Sequence, residues 1–188
     1  MTPETLTQLI GIGIPTLREL RAGVLAAGNA SDGGAEPVRL LREAGFAGGD
    51  AVYEAFQRWL GESAPTDGTN ARTEAADAGG LSLPEFGERA SRFFRDAGWG
   101  EVTFTAREAD GVAEVGIADC WESDSGSGSD SAMPGCHVTT GMLAAFFGRV
   151  AGYPVAVLET ECSGSGSGRC SFTMGNADVV NHEWERLR

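Results

Sequence analysis

Apolar positions in the first third of the chain recur at helical spacing. Leu17, Leu20, Val24 and Leu25 follow Pro15, which suits the first turn of a helix, and Gly28 marks a stop. A second stripe begins near Pro37 and runs through Leu40, Leu41, Ala44, Ala47, Ala51, Val52, Phe56, Trp59 and Leu60. Gly45, Gly48 and Gly49 interrupt it. A glycine inside a helix costs about 1 kcal/mol relative to alanine. The stripe therefore predicts either two short helices with a turn or one helix with a face pressed against another backbone. Residues 61–80 have no apolar period and many breakers, and read as a mobile linker. Ser82 followed by Glu85 reads as a capping box. The helix it opens carries Phe86, Ala90, Phe93, Phe94 and Ala97 and stops at Gly98.

Alternation then replaces the helical period. Val102, Phe104 and Ala106, the Asp110-Gly111 turn, and Ala113, Val115 and Ile117 predict a hairpin. Glu122 to Ser131 is a Gly/Ser/Asp loop, expected to be solvated and mobile. Thr139 or Thr140 is the expected cap of a helix carrying Leu143, Phe146, Phe147 and Val150, ended by Gly152 and Pro154. Val155 to Glu161 and Arg169 to Met174 read as strands joined by a Gly/Ser loop, and Asn181 to Arg188 as a polar tail. The order predicts an α+β fold, a four-stranded, mostly antiparallel sheet with helices packed on one face. A length of 188 residues fits one domain, 1–188, with an N-terminal extension (1–14), the linker (61–80) and a core over 81–175.

Charge narrows the function. Lys plus Arg is 14 and Asp plus Glu is 27, a net charge of −13. Such a chain repels phosphates and anionic lipid, so neither nucleic acid nor membrane is expected as a partner. No apolar run approaches the ~20 residues of a membrane span, and the start lacks a secretory pattern, so a cytoplasmic location is expected. No nucleophile–base pair, no G-x-S-x-G and no G-x-G-x-x-G after a strand stands out, which favours a non-enzymatic role. Asp124 and Asp130 lack the spacing of a calcium loop, and Glu108 reads as solvated surface.

The cysteines carry the chemistry. Cys136 precedes a helix, Cys162 ends one strand, and Cys170 begins its partner. With Glu159 they make a three-thiolate, one-carboxylate set compatible with tetrahedral zinc. Alternation along a regular strand would send Glu159 and Cys162 to opposite faces, so both reach one ion only if the strand bulges or turns between them. Glu161, His137 and Cys120 are further candidates. Free thiols or a Cys162–Cys170 disulfide are the alternatives, the latter disfavoured in a reducing compartment.

The stretches Pro134-Gly135-Cys136-His137-Val138-Thr139-Thr140-Gly141, Leu158-Glu159-Thr160-Glu161-Cys162 and Gly168-Arg169-Cys170-Ser171-Phe172 resemble the 4-vinyl reductase domain family. Upstream, the glycine-bearing helix from Leu40 to Gly49 and the Ala97-Gly98-Trp99-Gly100 junction are also similar to it. The resemblance implies a fold like that of the small TRAPP subunits, an α/β plait that often dimerises through its helices. It also implies the roles of hydrocarbon-binding modules and of the sensor domains of phenol-responsive activators, whose zinc ligands fall on Cys136, Glu159, Cys162 and Cys170. The expectation is a binding module for a small apolar or aromatic ligand, a homodimer with structural zinc, its ligand lined by Phe93, Trp99, Phe146, Phe147 and Val157. The alternatives are a dimeric adaptor, with Leu17, Leu20, Leu40 and Leu41 in its interface, and an accessory or reductase role in tetrapyrrole synthesis.

Overall fold

The computed structural model describes residues 13–29, 35–63, 80–107, 110–123 and 135–187. Most of the expected extension, linker and Gly/Ser loop, together with Glu108, Asp124 and Asp130, lies outside the described residues. The elements in order are α1 (Ile14–Asn29), α2 (Ala35–Ser63), α3 (Leu83–Asp96), β1 (Glu101–Arg107), β2 (Val112–Ala118), α4 (His137–Ala151), β3 (Ala156–Glu161), β4 (Cys170–Gly175) and α5 (Ala177–Leu187).

The strand order is β1-β2-β4-β3, and all three ladders are antiparallel. Because β4 lies between β2 and β3, those two run parallel and α4 is the crossover that joins them. The α+β architecture matches the sequence expectation. The register sets Val115 opposite both Phe104 and Phe172, and Ile117 opposite Cys170.

The three glycines do not break α2, which is one helix of 29 residues. A Cβ on Gly45 would overlap the Val138 carbonyl oxygen, and one on Gly49 would overlap Ala145 Cβ. From the other side, a Cβ on Gly141 would overlap the Arg42 carbonyl oxygen. The helices α2 and α4 therefore meet backbone to backbone, and glycine is what permits the approach. Gly48 faces open space and has no part in it.

At the start of α3 the capping box forms, with the Ser82 backbone N–H and hydroxyl both donating to Glu85 Oε2. The inner stripe Phe86, Ala90, Phe93 and Phe94 is buried. It joins Phe56 of α2 and Phe146 and Phe147 of α4 in an aromatic core, with centroids 5.2 Å apart for Phe56–Phe93 and 5.1 Å for Phe94–Phe146. Such pairs prefer the tilted and edge-on arrangements seen here.

Three sequence expectations need correction. Neither Thr139 nor Thr140 caps α4. Cys136 is its N-cap, and both threonines are buried in the first turn. Glu122 and Ser123 are buried rather than solvated, for a reason that belongs to the site below. The polar tail is mostly the helix α5, amphipathic enough to bury Val180 although its other face is solvated. No described helix is long and apolar enough to cross a membrane.

Candidate metal centre

Three pieces of chain converge at the start of α4. The first is Cys136, whose carbonyl accepts from both the Thr140 N–H (2.9 Å) and the Thr140 hydroxyl (2.7 Å). The second is the end of β3. There Glu159 pairs with Phe172 and Glu161 with Ser171, so two steps on β3 answer one on β4. That bulge supplies the turn the alternation argument required, and Cys162 comes round to the side of Glu159. The third is Cys170, the first residue of β4, fully buried beside Ile117.

One donor atom from each of Cys136, Glu159, Cys162 and Cys170 lies within 4.8 Å of the other three. The Cys136 sulfur is 3.4 Å from that of Cys170 and 3.8 Å from that of Cys162. The Ser163 N–H donates to Cys170 Sγ at 3.4 Å, an arrangement that favours a thiolate. Glu159 is only 3% exposed. Its Oε2 accepts the Cys136 N–H at 2.8 Å, while its buried Oε1 has no partner. A buried carboxylate oxygen without a partner carries a desolvation cost that a cation would remove.

The electrostatics describe the same need. Burial raises the Glu159 carboxyl to about 8, against the opposing pull of the Cys136 N–H. The Cys136 thiol is pushed far up, first by its hydrogen bond with Cys120, then by those with Cys162 and Cys170. Acidic groups this close cannot ionise together without a positive charge among them. Three sulfurs and one carboxylate fit a borderline-soft divalent cation, and four protein donors leave no position open for water.

Cys120 adds a buried fourth sulfur, 3.9 Å from Cys136 Sγ and 3.9 Å from Thr139 Oγ1, outside the four-donor set. His137 is buried next to Cys136. Burial lowers it to about 4, helped by the charges of Arg42 and Arg21, and its Nδ1 has no hydrogen-bond partner. Glu161 lies on the exposed side, accepting the Ser171 hydroxyl at 2.8 Å.

Sequence reasoning missed Glu122. Its side chain is 0% exposed, and its two oxygens accept the N–H groups of Val138 (2.9 Å) and Thr139 (2.8 Å). It thus caps α4 from a distant segment, where the helix dipole favours a carboxylate. Arg21 of α1 completes the arrangement, with Nε 3.4 Å from Glu122 and Nη2 donating to the Gly135 carbonyl at 2.7 Å. Arg18 donates to the Trp121 carbonyl at 2.8 Å. A loop-like composition hid this carboxylate; its place beside the apolar Cys120-Trp121 pair is the one signal in the sequence.

The five residues expected to line a ligand site separate. Phe93 and Phe146 sit in the aromatic core, and Val157 packs partly buried against it. Phe147 lines an open groove of about 1240 Å³ between α3, the β1–β2 hairpin and the end of α4. Trp99 lines a second opening of about 460 Å³, between α1, α2 and Trp121. Phe93, Phe146 and Val157 line neither.

The architecture and the four donors define an α+β domain built around a buried thiolate–carboxylate site able to hold a metal. Residues 125–176, which contain all four donors, match the family model of the 4-vinyl reductase domain, so the chain carries that domain in this segment. Among solved structures the chain is similar to the phenol-responsive sensory domain of the transcription activator PoxR, crystallised with phenol. The likeness has a TM-score of 0.64 and 18% identity, over 96% of this chain and 84% of that one, and it establishes the fold. A vinyl-4-reductase family protein from Methanocaldococcus jannaschii matches at a TM-score of 0.47 and 12% identity, over 90% of this chain and 84% of that one. No curated protein matches the chain.

Proposed function

We propose that the protein is a non-enzymatic binding or sensory module for a small apolar or aromatic molecule, stabilised by a zinc ion on Cys136, Glu159, Cys162 and Cys170. The observation that carries the zinc reading is the convergence of four donors around an unpartnered Glu159 oxygen. Zinc would there tie the N-terminus of α4 to the β3–β4 hairpin, a structural role, since no coordination position is left for substrate. The ligand reading is supported by the two apolar-lined openings beside α3 and α1 and by the fold shared with a phenol-responsive sensory domain. Concave apolar surfaces with a few polar groups are the usual small-molecule sites.

The test combines metal analysis with binding. Purified protein should contain one zinc per chain, and phenol or naphthalene should shift its tryptophan fluorescence saturably. Metal-free protein with an unchanged melting temperature after Cys170→Ala overturns the zinc reading. Failure of every apolar and aromatic probe overturns the ligand reading.

A second reading, a dimeric adaptor or a dimeric form of the same module, is favoured by one feature. Leu20 of α1 and Phe46 of α2 are 60% and 57% exposed, and Leu40 and Val24 are exposed beside them in sequence. Leu41, expected in that interface, is instead buried within the chain.

A further inference from the structure

The large groove has two chemically different ends. The N-terminal half of α3 contributes Leu83, Pro84 and Phe86, facing Val150, Val155 and Met174. The C-terminal half contributes Arg92 and Arg95. Leu83 and Arg95 are twelve residues apart on one helix, about 18 Å at 1.5 Å per residue. Both arginines are exposed, and neither forms a hydrogen bond or ion pair with any described residue. This is unusual in a chain with 27 acidic residues and 14 cations, all of them arginine. Most other described arginines have a carboxylate or carbonyl partner, as Arg39 has Glu36, Arg107 has Glu114 and Arg149 has Asp50. On the same stripe of α3, Glu88 also lines the groove, one turn before Arg92. The lining thus offers one carboxylate against two guanidinium groups, a local positive balance on a strongly negative protein. Thr103 and Thr105 add hydroxyls on the opposite wall.

We propose that this groove binds an anionic amphiphile, an aliphatic or aryl-alkyl carboxylate whose tail lies at the Leu83–Val150–Val155 end and whose head meets Arg92 and Arg95. The inference rests on the small-molecule reading above and adds the class of ligand. The planar guanidinium matches a carboxylate through two parallel hydrogen bonds, which an alcohol cannot accept in the same way. A neutral apolar ligand would leave both cations unused. The overall negative field would repel a free anion, so the apolar tail is needed to hold it.

The test compares decanoate with 1-decanol by calorimetry, below their aggregation limits, on the full chain. Wild type should bind decanoate about tenfold more tightly than decanol, as one charge-assisted contact implies. Arg92→Gln with Arg95→Gln should erase that preference while leaving the melting temperature and decanol binding unchanged. Arg39→Gln, on α2, should leave the preference intact. Leu83→Glu should weaken both probes. Raising the salt concentration should shrink the decanoate preference. Equal affinity for the two probes, or a preference that survives the double substitution, overturns the assignment while the small-molecule reading stands. Binding of phenol without either decyl probe does the same. Failure of all three probes overturns both.

Discussion

The Glu159 carboxylate accepts the Cys136 N–H at 2.8 Å with one oxygen and leaves the other without a partner beside three sulfurs. One residue therefore links the end of β3 to the cap of α4 and also offers a donor to the cluster. Glu159→Gln keeps an oxygen for the N–H but removes the charge. The expected result is a zinc site that still forms at high zinc and is lost to a chelator at concentrations the wild type resists. Chelator titration followed by metal analysis reads this directly. Equal retention in the two proteins would remove Glu159 from the ligand set.

Cys170 is the most constrained donor, because it is fully buried and takes the Ser163 N–H. With free zinc at a hundred times the dissociation constant, binding stabilises the folded state by about 2.7 kcal/mol. Cys170→Ser should lose most of that stabilisation, and chelating the wild type should lower its unfolding midpoint comparably. The substitution should then have little further effect on chelated protein. A Cys170→Ser defect of the same size with and without metal would assign the residue to packing alone.

Glycines in α2 should respond with opposite signs according to what they face. Gly45→Ala places a methyl against the Val138 carbonyl, a backbone atom with nowhere to go, and should destabilise by about 1–3 kcal/mol through overpacking. Gly48→Ala meets nothing within 4 Å and should stabilise by about 1 kcal/mol. Denaturant unfolding of the two variants separates the cases. Equal effects would mean that α2 and α4 do not approach as described.

The contrast shows what was legible in the sequence. Periodicity reported the elements, because Phe86, Ala90, Phe93 and Phe94 recur at helical spacing and Val115 and Ile117 alternate. It also reported the glycine interruption, but not which glycines touch α4, since that depends on the azimuth of a second helix. Spacing brought Cys162 and Cys170 together across a hairpin. The bulge at Thr160 that admits Glu159 has no local signal, because it is set by the β4 register. Glu122 escaped for a similar reason. Its partners lie in Val138 and Thr139, sixteen and seventeen residues on, beyond any capping pattern that reads three residues ahead.

The exposed apolar residues of α1 and α2 give the dimer reading its own test. Light scattering of the wild type should report twice the chain mass, and Phe46→Glu should report a monomer with an unchanged fold. Since Phe46 is 57% exposed in the single chain, this substitution disturbs little inside it. A monomeric wild type would exclude both the adaptor and the homodimer.

Glu122 carries a pH signature. Burial raises its carboxyl above the ordinary 4.5, with the Thr139 and Val138 N–H groups and the charge of Arg21 acting in the opposite direction. Between 4.5 and the raised value, the folded chain holds a proton that the unfolded chain has released. The contribution to stability is complete below pH 4.5 and is lost as pH rises through the folded value. Glu122→Gln cannot lose that proton, so its stability should fall less steeply with pH over the same window. The variant should also be weaker than wild type by about 1–3 kcal/mol near neutrality, because an amide offers one acceptor to two N–H groups. Unfolding curves of both proteins at several pH values, in excess chelator to remove any contribution from metal, give the two slopes. Parallel slopes would mean that Glu122 titrates as an ordinary carboxylate and that its burial at the head of α4 carries no proton-linked cost.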